Sequence, residues 1–227
     1  MSDVITVELL DSRAAVREAL DESHAPTRAE FFKRAIVGGG AFAAGGLLIG
    51  GLPTVALGQR SASQDQEILN FALLLEYLES EFYVEAVQRG NLSGETLEFA
   101  RLVRDHELAH VEYLKTALGS AARDKPRFDF KDTTSDPDKF RATAVVLEDT
   151  GVAAYNGQGP RLRKPTLAAA ATIVSVEARH AAWIRRIVGK PDYDGNAANY
   201  PAPASFDAAL TKQQVEDRVA ATGFIQG

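Results

Sequence analysis

The chain has 227 residues, 45% of them hydrophobic and 25% charged, with 25 Lys and Arg against 31 Asp and Glu and a net charge of −6. A sequence-independent nucleic-acid binder needs a basic surface, so nucleic acid is excluded as the expected partner. Cysteine is absent and only four His occur, which excludes disulfide staples, thiolate metal sites, iron–sulfur clusters and cysteine nucleophiles, and makes any metal site lean on carboxylates.

Residues 1–34 read as a leader, acidic and partly amphipathic over its first 26 residues. Residues 35–58 read as a hydrophobic segment. From Ala35 to Gln59 no residue is charged, and the run is rich in Gly and Ala and broken by Pro53. Thr27-Arg28-Ala29-Glu30-Phe31-Phe32-Lys33-Arg34 stands immediately before it. Basic residues followed by a weakly apolar run read as an export signal. The block resembles a twin-arginine signal in Thr27, Arg28, Phe31, Phe32 and Lys33, with Ala29 in place of the second arginine, and Ala56-Leu57-Gly58 supplies small residues for cleavage. Two other readings stay open: a retained membrane anchor, for which about 20 residues suffice, and a buried soluble hairpin. The expected location is therefore exported (periplasm, cell envelope or extracellular), or anchored to a membrane through residues 35–58.

After Gln59 the pattern turns to long helical periodicity. The first predicted helix spans Ser63–Val87, with Ser63 and Gln66 as a capping box and Gly90-Asn91 as the stop. The second spans Ser93–Leu118, with Ser93 as N-cap and Gly119 just beyond its end. The short connection makes these two antiparallel neighbours. The polar stretch SAARDKPRFDFKDTTSDPD is too long for a tight turn. The third helix starts near Asp138, with Asp136 as cap and Pro137 in the first turn, and ends near Tyr155; the fourth spans Thr166–Val188 and stops at Gly189. Short loop, long crossover and shorter loop describe an all-α, up-down four-helix bundle over residues 59–190, with one long crossover between the second and third helices. Residues 191–227 read as a tail that wraps the bundle, with a short helix over Thr211–Ala221.

Each long helix carries an acidic residue where an apolar one is expected. The stripes are Val103, Glu107, His110, Leu114 on the second helix and Ile173, Glu177, His180, Ile184 on the fourth. The first contributes Ala72, Glu76, Glu79, Tyr83 and the third Ala144, Glu148, Val152, Tyr155. A lone carboxylate in a core costs several kcal/mol unless it is paired, protonated or bound to metal. Four converging carboxylates repel one another, and divalent cations remove that conflict. Glu107-x-x-His110 and Glu177-x-x-His180 each put a carboxylate and an imidazole one turn apart on the same face. The pattern also repeats: Glu76 and Glu148 are each followed seven residues on by a tyrosine, Tyr83 and Tyr155, and each Glu-x-x-His lies about 30 residues further along. Two pseudo-symmetric hairpins would each donate one Glu and one Glu-x-x-His.

The stretch LNFALLLEYLESEFY and the blocks DHELAHVEYLKTALG and VSVEARHAAWIRR carry a resemblance to the ferritin-like superfamily. It extends over residues 63–189 and points in particular to the exported ferritin-like domain proteins that include desiccation-related proteins. The resemblance implies metal ligation by Glu76, Glu107, His110, Glu148, Glu177 and His180, with Glu107 and Glu177 bridging. It implies a carboxylate-bridged centre of two Fe or two Mn ions per chain, which the hard donor set suits. No catalytic residue is assigned beyond these ligands.

Bland readings stand beside these. The Glu-x-x-His pairs can be exposed i,i+3 pairs without metal. Glu79 is a further ligand, a carboxylate behind the ligands, or a solvated residue; Glu81 and Glu85 read as solvated. His106 points about 100° from Glu107 and reads as a surface residue or an outer partner of the site, and His24 lies in the leader. Tyr83 and Tyr155 either hydrogen-bond the ligand carboxylates or are core aromatics, and Tyr113 and Trp183 read as packing residues. The expected function is oxidation of Fe(II) or consumption of peroxide in stress protection, with O₂ or peroxide as the small-molecule partner. The alternative is a non-catalytic, desiccation- or stress-related structural or interaction protein with a vestigial or purely structural metal site. An oligomer is compatible with either reading; cage storage fits less well, because a long Pro-rich tail replaces a short fifth helix.

Overall fold

The computed structural model describes residues 60–189 and 200–226. Its helices are α1 (Ala62–Arg89), α2 (Gly94–Leu118), α3 (Pro137–Gln158), α4 (Lys164–Val188) and α5 (Lys212–Thr222). Two short strands, β1 (Arg127–Phe128) and β2 (Ile225–Gln226), pair antiparallel with Arg127 opposite Gln226. The sequence reading had no strand at either place. The leader, with His24, the hydrophobic segment 35–58 and residues 190–199 of the tail lie outside the described residues. Among the described residues no helix is long and apolar enough to cross a membrane.

Local chemistry sets the helix ends. Ser61 and Ser63 each have a Gln three residues on, and the helix takes the earlier start: Ser61 is extended and its hydroxyl accepts from the backbone N–H of Gln64 at 3.1 Å. Asp136 caps α3 by accepting from the N–H groups of Asp138 and Lys139, with Pro137 in the first turn. That helix continues three residues past the expected end at Tyr155, because the tail docks there. Leu210 N–H donates to Ala153 O at 3.0 Å, and the side-chain amides of Asn156 and Gln158 reach Ala208 O and Leu210 O. Gly157 permits the approach, since a Cβ there would stand 1.8 Å from the Leu210 carbonyl oxygen. On the fourth helix, Pro165 enters the first turn and Arg163 anchors to buried Asp65 through its backbone N–H and Nε, so α4 begins two residues earlier than expected.

The long crossover decides the helix directions. Asn70 bonds Ala121 O near the start of α1, whereas Asn91, just after the end of α1, donates to Ser135 O at 2.7 Å. Residues 121–135 therefore travel the length of the bundle. Each hairpin is antiparallel as expected, but α2 and α3 run parallel, giving the order up-down-down-up. The hairpin pairs α1–α2 and α3–α4 make the most extensive contacts, and the hairpins meet through α1–α3 and α2–α4.

The core has two large apolar regions beside a small one of Ile68, Leu162 and Ala170. One holds Phe82 stacked on Phe140, with Tyr83, Phe99 and Phe130 packed around them; the other holds Leu73, Leu114 and Ile173. Fully burying such a side chain contributes on the order of 1.5–3 kcal/mol. The tail closes over the first region: Thr211 and Gln214 form a capping box for α5, Val215 and Val219 are buried, and Phe224 meets Phe130 edge-on.

Candidate metal centre

Between the two apolar regions lies a polar layer to which all four bundle helices contribute. On α2 it interrupts Val103 and Leu114; on α4 it interrupts Ile173 and Ile184. Glu76, Glu107, Glu148 and Glu177 are each 0% exposed. The reading of the two Glu-x-x-His pairs as exposed helix-surface pairs is therefore overturned.

The six expected ligands come together in two overlapping groups. One donor atom from each of Glu76, Glu107, His110 and Glu177 lies within 4.8 Å of the others, and the same holds for Glu107, Glu148, Glu177 and His180. Glu107 and Glu177 belong to both. Nδ1 of His110 stands 3.2 Å from Glu76 Oε2 and 3.1 Å from both Glu107 Oε2 and Glu177 Oε1. Nδ1 of His180 stands 3.0 Å from Glu107 Oε1 and 3.3 Å from Glu148 Oε2. Glu107 thus turns one oxygen to each imidazole. A single ring N–H cannot serve three oxygens, so the arrangement is poorly explained as hydrogen bonding.

The unsatisfied atoms make the same point. Glu107 Oε1, Glu148 Oε2, both carboxylate oxygens of Glu177 and Nδ1 of His180 are buried without a hydrogen bond. Each such atom costs about 1–3 kcal/mol, more when charged. Four carboxylates and two imidazoles converging in this way are a donor set that could hold hard or borderline divalent cations.

Electrostatics shows what the cluster does without a cation. Burial, and then the neighbouring Glu76 charge, push Glu177 up to about 8. Burial and the Glu177 charge hold Glu107 and Glu79 well above the usual carboxylate range. Burial opposes ionisation of Glu76, but the bonds with His110, Glu107 and Tyr155 outweigh it and bring its carboxyl below the usual range. Burial likewise works against the charged form of His110, and the carboxylates of Glu107, Glu177 and Glu76 close to its ring outweigh that and raise it. The cation-free cluster therefore retains protons that a metal must displace.

The residues around the ligands are also placed. Tyr83 donates to Glu148 Oε1 and Tyr155 to Glu76 Oε1, each at 2.5 Å. Each tyrosine thus crosses to the carboxylate of the other hairpin, and Tyr83 also packs among the core aromatics. Burial and the adjacent carboxylate keep both phenols protonated and able to donate. Glu79 is 3% exposed, so its reading as a solvated residue is overturned. A Cβ at Gly151 would lie 3.1 Å from both Glu79 Oε1 and Glu177 Oε2; the missing side chain is the room Glu79 occupies.

His106 lies against His180, its Nδ1 2.8 Å from Nε2 of that ring. A metal on Nδ1 of His180 would leave that ring's proton on Nε2, from where it could be donated to Nδ1 of His106. The signal in the sequence was His106 to His110, an i,i+4 pair on one face; the angle to Glu107 obscured it. Glu85 is half-buried and accepts from Thr134 Oγ1 at 2.6 Å and from Arg89, and Glu81 pairs with Lys125, so neither is simply solvated. Trp183 packs edge-on to Phe99 and its indole donates to Glu95, whereas Tyr113 is 46% exposed rather than packed.

Residues 64–190 match the sequence model of a family described as the ferritin-like domain, more than half of the chain. No curated protein sequence matches the chain.

Proposed function

The chain belongs to the ferritin-like domain family, and from that premise we propose that it is an exported protein holding two Fe or Mn ions between Glu107 and Glu177, which oxidises Fe(II) or consumes peroxide in stress protection. The observation that carries this reading is the pair of four-residue groups sharing two buried glutamates. Bound there, two redox metals would supply electrons and Lewis acidity to O₂ or peroxide.

The chain's own residues have definable tasks. Tyr83 and Tyr155 orient Glu148 and Glu76 from opposite hairpins. Burial and the Glu177 charge favour the protonated form of Glu79 inside the layer. The apolar regions on either side keep water away from it. The side chain of His110 is 12% exposed against 3% for His180, so a small oxidant would approach from the His110 side. Kinship with the desiccation-related group and export rest on the sequence blocks and the signal-like segment before Gln59. The same segment would serve as an anchor if retained.

The test is metal content per chain by elemental mass spectrometry, on fresh protein and after anaerobic reconstitution with Fe(II) or Mn(II). About two ions per chain, with turnover of O₂ or peroxide, is the expected result. No bound metal after reconstitution would overturn the reading and leave a structural role.

A further inference from the structure

The two hairpins correspond in sequence on an offset of 72 residues in the first helix of each and 70 in the second. Glu76, Tyr83, Glu107 and His110 correspond to Glu148, Tyr155, Glu177 and His180. Two polar residues beside the cluster break the match: Glu79 answers to Gly151, and His106 to Val176. We propose that these two breaks make the metal positions unequal, and that His106 is the positioning residue that makes the Glu148/His180 position the tighter. The inference rests on the dinuclear reading above.

The imidazole of His180 is fixed at both ends. Nδ1 faces Glu107 and Glu148, while Nε2 meets Nδ1 of His106 at 2.8 Å. An outer hydrogen bond of this kind selects the tautomer with a free Nδ1, orients the ring and raises its basicity as a ligand. His110 lacks that support. Its outer nitrogen has no hydrogen bond to a described residue, Val176 has no polar atom to offer, and its side chain is the more exposed of the two.

The second break acts on the same side. Glu177 turns Oε1 to His110, whereas Oε2 lies beside the space left at Gly151, where Oε1 of Glu79 enters. Glu79 thus adds a carboxylate on the Oε2 side of the bridge, away from His110. A gap on the third helix and a carboxylate on the first are both needed, and the chain has both.

The test is a Co(II) titration of the full-length protein, freed of metal with chelator, followed by the cobalt absorption bands under chelator competition. Wild type is expected to bind two ions in separate steps. His110→Ala should remove the weaker step and keep the tighter. His106→Ala should weaken the tighter step by about 10–100-fold and leave the other within about twofold. His106→Gln, whose Oε1 can accept the same hydrogen bond, should recover most of the loss. Circular dichroism and melting in chelator confirm that each variant is folded. Two indistinguishable steps in wild type, loss of the tighter step in His110→Ala, or equal weakening of both steps in His106→Ala would each overturn the proposal. If His106→Ala does not fold, the wild-type and His110→Ala titrations still decide it. No cobalt binding by wild type would instead overturn the dinuclear reading, and the proposal with it.

Discussion

Replacing Tyr83 by Phe removes one oxygen from a position that is 0% exposed and leaves the ring in place. The ring keeps its edge contacts with Phe82, Phe99 and Phe140, so the packing loss is small. What disappears is the 2.5 Å bond to Glu148 Oε1, on a carboxylate whose other oxygen has no hydrogen bond. A buried hydrogen bond to a charged group contributes about 1.5–3 kcal/mol. The metal-free protein should therefore lose about 2 kcal/mol by that measure, and for a domain of this size Tm should fall by about 4–8 °C. With Mn(II) bound the loss should shrink, because an ion at Glu148 would hold the carboxylate in the phenol's place. Thermal melts in chelator and in Mn(II) give all four corners of this cycle. A fall below about 1 °C in chelator would mean that Tyr83 is a packing residue and that the argument from the crossed tyrosines is wrong.

Other outcomes follow from the same geometry. Glu107→Ala combined with Glu177→Ala should abolish binding of the ion pair while helical content by circular dichroism stays near wild type; retention of two ions per chain would refute the ligand assignment. Metal-free stability should fall as pH rises from about 4.5 to 8. Over that window folded Glu177, at about 8, keeps a proton that the unfolded carboxylate has lost. The slope for one proton is up to about 1.4 kcal/mol per pH unit. Mn(II) affinity should rise across the same window, since the ion competes with that proton; a flat Tm between about pH 5 and 8 would contradict both. Gly157→Ala should cost about 1–3 kcal/mol by overpacking, because the new Cβ meets the Leu210 carbonyl oxygen. Hydrogen exchange should show faster opening of residues 200–210, and unchanged protection there would refute the docking argument.

Much of the bundle was legible from local rules. The periodicity set four long helices, and Asp136, Gly90 and the Glu-x-x-His pairs act through neighbours one turn away in sequence. A carboxylate in an apolar stripe signals burial with a purpose because its desolvation cost must be met by something. That signal marked the acidic stripes, the family resemblance picked six residues from them, and the fold brings those six into one layer.

Contacts between distant segments could not be read in that way. The end of α3 is set by the docked tail, and the choice of Ser61 over Ser63 as cap lay within the error of a local rule. The strand pair joins residues about 100 positions apart. Glu79 looked ambiguous because its burial depends on a glycine in another helix, and His106 because its partner is on α4. A helix by itself determines which side chains share a face. Which face meets which, and how close a carboxylate comes to a gap on its neighbour, depends on the packing of all four helices, whose interdigitated cores fix those distances to a few tenths of an ångström.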